Sequence, residues 1–168
     1  SPSGHTPEGG KHLVWIAPPY LPYAPALAAA GIALARVIVV RTQNTQETLW
    51  AAEQALRSQS CGAVLLWSDT RDHTALRRLQ LAAEQSATPL FLLRALSAAR
   101  HASPAVLRLA LSPTADGLQV DILKRRGPPV AGPIQLRWRE LNGAAPAQAG
   151  PAIDAQNPNE VRHLTLVD

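Results

Sequence analysis

The sequence predicts an α/β protein: a mixed, mainly parallel sheet flanked by helices, with an antiparallel C-terminal extension and a flexible tail. Three observations lead there. AVLLW at 63–67 is apolar and unbroken between Gly62 and Ser68-Asp69, as expected of a central strand in a covered parallel sheet. Four such runs precede residue 97 and alternate with helix-patterned segments. Beyond Ser97 the runs alternate between apolar and polar residues, the pattern of antiparallel strands.

The first strand is LVWIA at 13–17, ended by Pro18-Pro19, which cannot continue a ladder. Pro22 and Pro25 open an alanine-rich helix reaching about Ala30, with Gly31 in the stop position. Residues 37–40 form the second strand. Thr45 is the expected N-cap of a helix over 46–59, whose wide apolar arc (Leu49, Ala52, Leu56 with Trp50, Ala51, Ala55) is that of a helix pressed onto a sheet. After the third strand, Asp72 or Thr74 caps a helix with Leu76, Leu79 and Ala83 on one face and Arg77, Arg78 and Glu84 on the other. Pro89 precedes the fourth strand, 90–93. Segments 105–111 and 118–124 are joined through the turn signal Asp116-Gly117, and 134–139 is a candidate seventh strand. From Asn142 the composition falls to Ala, Pro, Gly, Gln and Asn, as in a tether, up to about Glu160. The expected division is therefore 1–12 as linker or N-terminal remnant, 13–141 as core, and 142–168 as tail.

Composition narrows the class. At 168 residues and 46% hydrophobic the chain has enough apolar material for one core. No apolar run approaches the roughly 20 residues needed to span a bilayer, and no leader pattern marks export. Cys61 is the sole cysteine, which fits a reducing cytoplasm and excludes an internal disulfide. Met is absent even at position 1, so further sequence is expected upstream. The net charge of +4 permits a nucleic-acid or acidic partner without requiring one.

The phrases LVWIAPPYLPYAPALAAAGI, ETLWAAEQALRS-x-x-CGAVLLW, LRRLQLAAEQ and DILKRRGPP resemble the ImuA family of bacterial translesion-synthesis accessory proteins, itself related to RecA and to the division inhibitor SulA. The resemblance runs from about Leu13 to Trp138. It implies a degenerate RecA-like core and a non-catalytic adaptor in SOS-induced mutagenesis. The implied partners are RecA and an inactive Y-family polymerase homologue, ImuB. It also implies where RecA chemistry has been lost. No phosphate-cradling G-x-x-x-x-G-K-[ST] occurs. Pro18-Pro19 stand where the catalytic glutamate is expected, Trp67 where a magnesium aspartate is expected, and Arg94 near the phosphate-sensing position. The segments 68–74 and 95–103, which correspond to RecA's DNA-binding loops, are short. No catalytic residue and no cofactor is expected. A second reading from the same kinship is a SulA-like inhibitor that blocks tubulin-like filament assembly; the LKRRGPP turn and the C-terminal extension favour the adaptor.

The candidate nucleic-acid residues are Lys124, Arg125 and Arg126, held on a turn by Gly127-Pro128-Pro129. Arg137 and Arg139 flank Trp138 and are candidates to extend the patch, with a base stacked on the Trp138 indole; the competing reading is a tryptophan that covers an edge strand. Against this stands a solvated strand end. Any DNA binding is expected to be weak and non-specific. Leu164, Leu166 and Val167 form an alternating apolar peptide beyond the tether, a candidate for adding to a partner's sheet edge; the competing reading is an end strand docked on the chain's own sheet. The five histidines show no ligand spacing, so no metal site is expected. Asp69 and Asp72 suggest a displaced metal site, but a helix cap accounts more simply for Asp72. Cys61 reads as a small buried hydrophobe, and Trp15, Trp50 and Trp67 as packing residues.

Overall fold

The computed structural model describes residues 10–141 and 162–167. Three β-α units and a fourth strand come first: β1 (His12–Ile16), α1 (Ala24–Ala29), β2 (Val37–Val40), α2 (Thr45–Arg57), β3 (Cys61–Trp67), α3 (His73–Ser86) and β4 (Leu90–Ala95). Then follow β5 (Leu107–Thr114), β6 (Gly117–Lys124), β7 (Ile134–Arg137), the single helical turn α4 (Trp138–Leu141) and β8 (Arg162–Val167). Among the described residues all eight strands join one sheet in the order β2-β1-β3-β4-β8-β5-β6-β7. β1 to β4 are mutually parallel and β5 to β7 antiparallel, so the expected mixed α/β architecture is present. Among the described residues no helix is long and apolar enough to cross a membrane.

Local chemistry sets the helix ends. α2 is capped one residue earlier than Thr45: the Asn44 side chain accepts from Glu47 N at 2.9 Å, and Glu47 reaches back to accept from Gln43 N at 2.8 Å. These reciprocal bonds satisfy two otherwise orphaned N–H groups. Asp72, not Thr74, caps α3 by accepting from Ala75 N at 3.0 Å.

The core lies on one face. Ala52 and Leu56 of α2, with Leu76, Leu79 and Ala83 of α3, cover Val14, Ile16, Val64, Leu66, Leu90 and Leu92. Glu53, buried between the helices, pairs with Arg57 at 2.7 Å and Arg78 at 2.6 Å, so its charge is compensated where burial alone would be costly. The opposite face is also apolar, yet Leu13, Trp15, Leu65, Trp67, Phe91 and Leu93 remain only half-buried. α1, which has no buried residue, meets that face through Ala26 and Leu27, beside Trp15 and Trp67. Continuous apolar strands led to the expectation of cover on both faces; the described helices seal one.

Two corrections concern the C-terminal part. The seventh strand stops at Arg137, and Trp138–Leu141 turns into helix, so Arg139 is not a strand residue. The tether expected over 142–160 lies outside the described residues. The terminal peptide, by contrast, is not a free partner-binding hook. Leu164 pairs with Leu93 and Leu109, Leu166 with Phe91 and Leu107, and Val167 with Leu90, so β8 fills the slot between β4 and β5. The reason is hydrogen bonding: both flanking strands would otherwise present open edges in mid-sheet.

Ending the chain before Arg162 is therefore expected to lower the thermal midpoint by about 10 °C or more, because a central strand bonded on both sides is lost. Thermal unfolding followed by circular dichroism checks this; an unchanged midpoint would show that β8 contributes nothing to the sheet.

Candidate functional site

β6 ends at Lys124, and the chain reverses through Arg125 and Arg126 into Gly127, whose φ of 93° favours glycine. The three side chains are exposed, and none pairs with a carboxylate among the described residues. Lys124 Nζ donates to Ser103 O at 3.1 Å, and Arg125 Nε donates to Arg126 O at 3.2 Å. Arg137 lies elsewhere. It pairs in register with Gly117, at the opposite end of β6, which puts it about 23 Å from Lys124 at a strand's rise per residue. Arg137 also stands 3.5 Å from Asp116, and Arg139 follows on α4. The expected extension of the basic patch by Arg137 and Arg139 is thus not formed. Hairpin geometry sends the two groups to opposite ends.

The carboxyl ends of the parallel strands are occupied by the chain's own side chains. Asp69 accepts from Ala95 N at 2.7 Å, tying the loop after β3 to the end of β4, and Asp72 is the helix cap. Among the described residues no cluster of three metal-ligating side chains occurs. Arg94, 1% exposed on β4, donates from Nη2 to Thr70 O at 2.6 Å, while its Nε and Nη1 have no partner. Burial depresses its pKa below the usual guanidinium value, Asp69 opposes that shift, and Arg108 and Arg71 add to it. Arg108 of β5 is likewise buried and lowered by burial, and donates to Ala99 O at 2.9 Å. Neither role was read from the sequence, where a lone arginine in or beside an apolar strand carries no sign of its partners.

Next to this edge lies a cleft of about 370 Å³ that sequence reasoning also missed. Trp15 and Trp67, on adjacent strands, form its floor with ring centroids 5.2 Å apart and planes tilted by 33°. Tyr20, Leu21 and Tyr23 rise beside it, 72%, 65% and 65% exposed. A second hollow of about 260 Å³ shares Pro18 to Leu21 as a wall and reaches Arg41 and Thr42. Trp15 and Trp67 are therefore cleft residues on the half-open face, and Trp50, at 60% exposure, lies on the surface of α2; none of the three is sealed in the core. The available signal was the run PPYLPY at 18–23, too aromatic for an ordinary loop.

No family model matches the chain. Protein ImuA from two strains of Caulobacter vibrioides is 40% identical over 82 residues. This chain is similar to ImuA. The match takes in 49% of the chain but 34% of the relatives, so the chain spans about a third of the length of the curated ImuA proteins it matches. Among solved structures, SulA from Pseudomonas aeruginosa overlaps 49% of this chain and 68% of its own, at 24% identity and a TM-score of 0.43, a likeness too partial to argue from. The ImuA resemblance carried by the residue phrases is thus met by curated ImuA sequences.

In this ImuA-like chain, Trp67→Asp is expected to destabilise by roughly 2–3 kcal/mol through loss of the Trp15 contact and of half-buried aromatic area. No magnesium site should appear, because Asp69 and Asp72 are already engaged. Thermal melts with and without Mg²⁺ check both points: an Mg²⁺-dependent rise in the midpoint of the variant would contradict this account.

Proposed function

We propose that this chain is a non-catalytic adaptor in SOS-induced translesion DNA synthesis and mutagenesis, built on a degenerate RecA-like core and acting in the cytoplasm. The observation that carries the reading is the 40% identity to ImuA. Its partners are taken to be an inactive Y-family polymerase homologue of the ImuB kind and RecA. The structure supports a binding role in two ways. The acids and buried cation at the carboxyl ends of the strands hold loops in place, and the exposed Tyr20, Leu21 and Tyr23 form a surface suited to protein contact beside the cleft. DNA contact is a secondary element of the proposal. Lys124, Arg125 and Arg126 touch phosphates weakly and without sequence preference.

Affinity capture from damage-treated bacterial extract tests the adaptor. Recovery of RecA and of a polymerase-like protein is expected, and recovery of the division tubulin in their place would overturn it. For DNA, replacing Lys124, Arg125 and Arg126 together by alanine is expected to weaken binding equally across sequences and flatten the salt slope by up to about 3 units. Titrations at several salt concentrations read this directly, and unchanged binding would leave the turn with no role beyond solvation.

A further inference from the structure

The Trp15–Trp67 cleft lies outside the sealed core and the basic turn. Its position is informative. In the parallel half the strand order is β2-β1-β3-β4, so the chain leaves β1 toward β2 on one side and later returns past it to β3. The connections on either side of the β1–β3 pair diverge there, and in open α/β sheets the crevice outside the carboxyl ends at such a point is where ligands enter. Trp67 is the last residue of β3, and Pro18 and Pro19 follow β1 within two or three residues.

The chemistry of the walls selects the ligand. Tyr20, Leu21 and Tyr23 are each about two-thirds exposed, so apolar surface continues well outside the hollow. A ligand that covers it is longer than the cleft, a chain segment with one side chain inserted. Trp15 and Trp67 both line the cleft and offer aromatic surface to one large apolar side chain. Charge gives the sign. Among the described residues that line the two hollows the charged side chain is Arg41, and no acid is among them. Glu47, which follows Arg41 in the chain, and Asp69, which follows Trp67, accept from the N–H groups of Gln43 and Ala95. Arg41 borders the second hollow, next to the first. A single-stranded nucleic acid would need a row of cations beside the stacking rings, and only Arg41 lines the two hollows.

We infer that this cleft is a docking site for an acidic peptide segment of a partner protein, with a large apolar side chain seated against Trp15 and Trp67 and a neighbouring carboxylate on Arg41. The inference rests on the adaptor reading for its biological setting and assigns that role a specific surface. It is of the anchor-in-groove kind, in which one buried side chain supplies affinity and a charge beside it supplies selectivity.

The test uses the whole chain and three probes. These are a labelled peptide of about twelve residues bearing a Phe-Leu pair flanked by aspartates, its counterpart with lysines for aspartates, and an oligo-dT of about the same length. Binding is read by anisotropy of the label and by the chain's tryptophan emission. The aspartate peptide is expected to bind best and to change the emission. Leu21→Ser with Tyr23→Ser, both at exposed positions that folding tolerates, should weaken it about tenfold. Arg41→Glu should reverse the preference toward the lysine peptide. Equal binding of both peptides, no peptide binding, or oligo-dT binding that depends on Tyr23 overturns the inference. The adaptor reading fails separately. A Leu21→Ser, Tyr23→Ser chain that still captures RecA and the polymerase-like protein removes the cleft and keeps the adaptor. Peptide binding at the cleft with neither protein captured does the reverse.

Discussion

The structure depends on the backbone pairing of β8. Without it, four parallel strands and three antiparallel ones are two separate sheets, each with an unpaired row of N–H and C=O groups facing the other. β8 runs antiparallel to both neighbours and so serves as the seam between a parallel half and a meander. Because β4 and β5 are held on its two sides, the loops that leave them are held too: Arg94 and Arg108 sit at the register positions of His163 and Thr165, and each guanidinium reaches a backbone carbonyl in a neighbouring loop. A seam made by the last described residues of the chain couples the order of the whole sheet to one late-synthesised strand.

The buried arginines carry a cost that explains their placement. A guanidinium with unpartnered N–H groups in a dry site is unfavourable, as the lowered pKa of Arg94 records. What offsets it is the combined work of Arg94 and Asp69: one holds Thr70 O, the other Ala95 N, and their opposite charges attract. The loop between β3 and α3 is fixed at both ends by these bonds and by the Asp72 cap. This arrangement keeps Trp67 in position against Trp15 and so maintains the shape of the cleft.

The parts of the fold visible in the sequence are those where one physical signal has one structural meaning. Unbroken apolar runs such as 63–67 cannot remain in solvent, and Asp116-Gly117 between alternating segments makes a hairpin. Other signals have two outcomes. Asn44 and Thr45 are both competent caps, and the choice fell to the residue whose side chain reaches Glu47 N. HLTLV alternates equally well as a hook or as a central strand; only the presence of two open edges beside it decides, and that is a property of the assembled sheet. An apolar strand does not state whether both its faces are covered, so Trp15 and Trp67 looked like core. Arg137 lies close to Arg126 along the chain, yet one hairpin carries them to opposite ends of β6.

The two faces of the parallel half then have different physical roles. α2 and α3, locked through Glu53, seal one face to near-zero exposure and supply the stability that a sheet needs. The other face is equally apolar but only half-covered, and the exposed Tyr20, Leu21 and Tyr23 stand beside its tryptophans. Apolar surface left in water is unfavourable by about 25 cal/mol for every Å² that a contact would remove. A chain that retains it beside a tryptophan pair, with a cation at the rim, has the makings of a contact surface: apolar area for affinity and a single charge for orientation. The rigidity of the sealed face is what makes the open one usable, since a cleft held by strands and tethered loops does not have to be ordered again when a partner arrives.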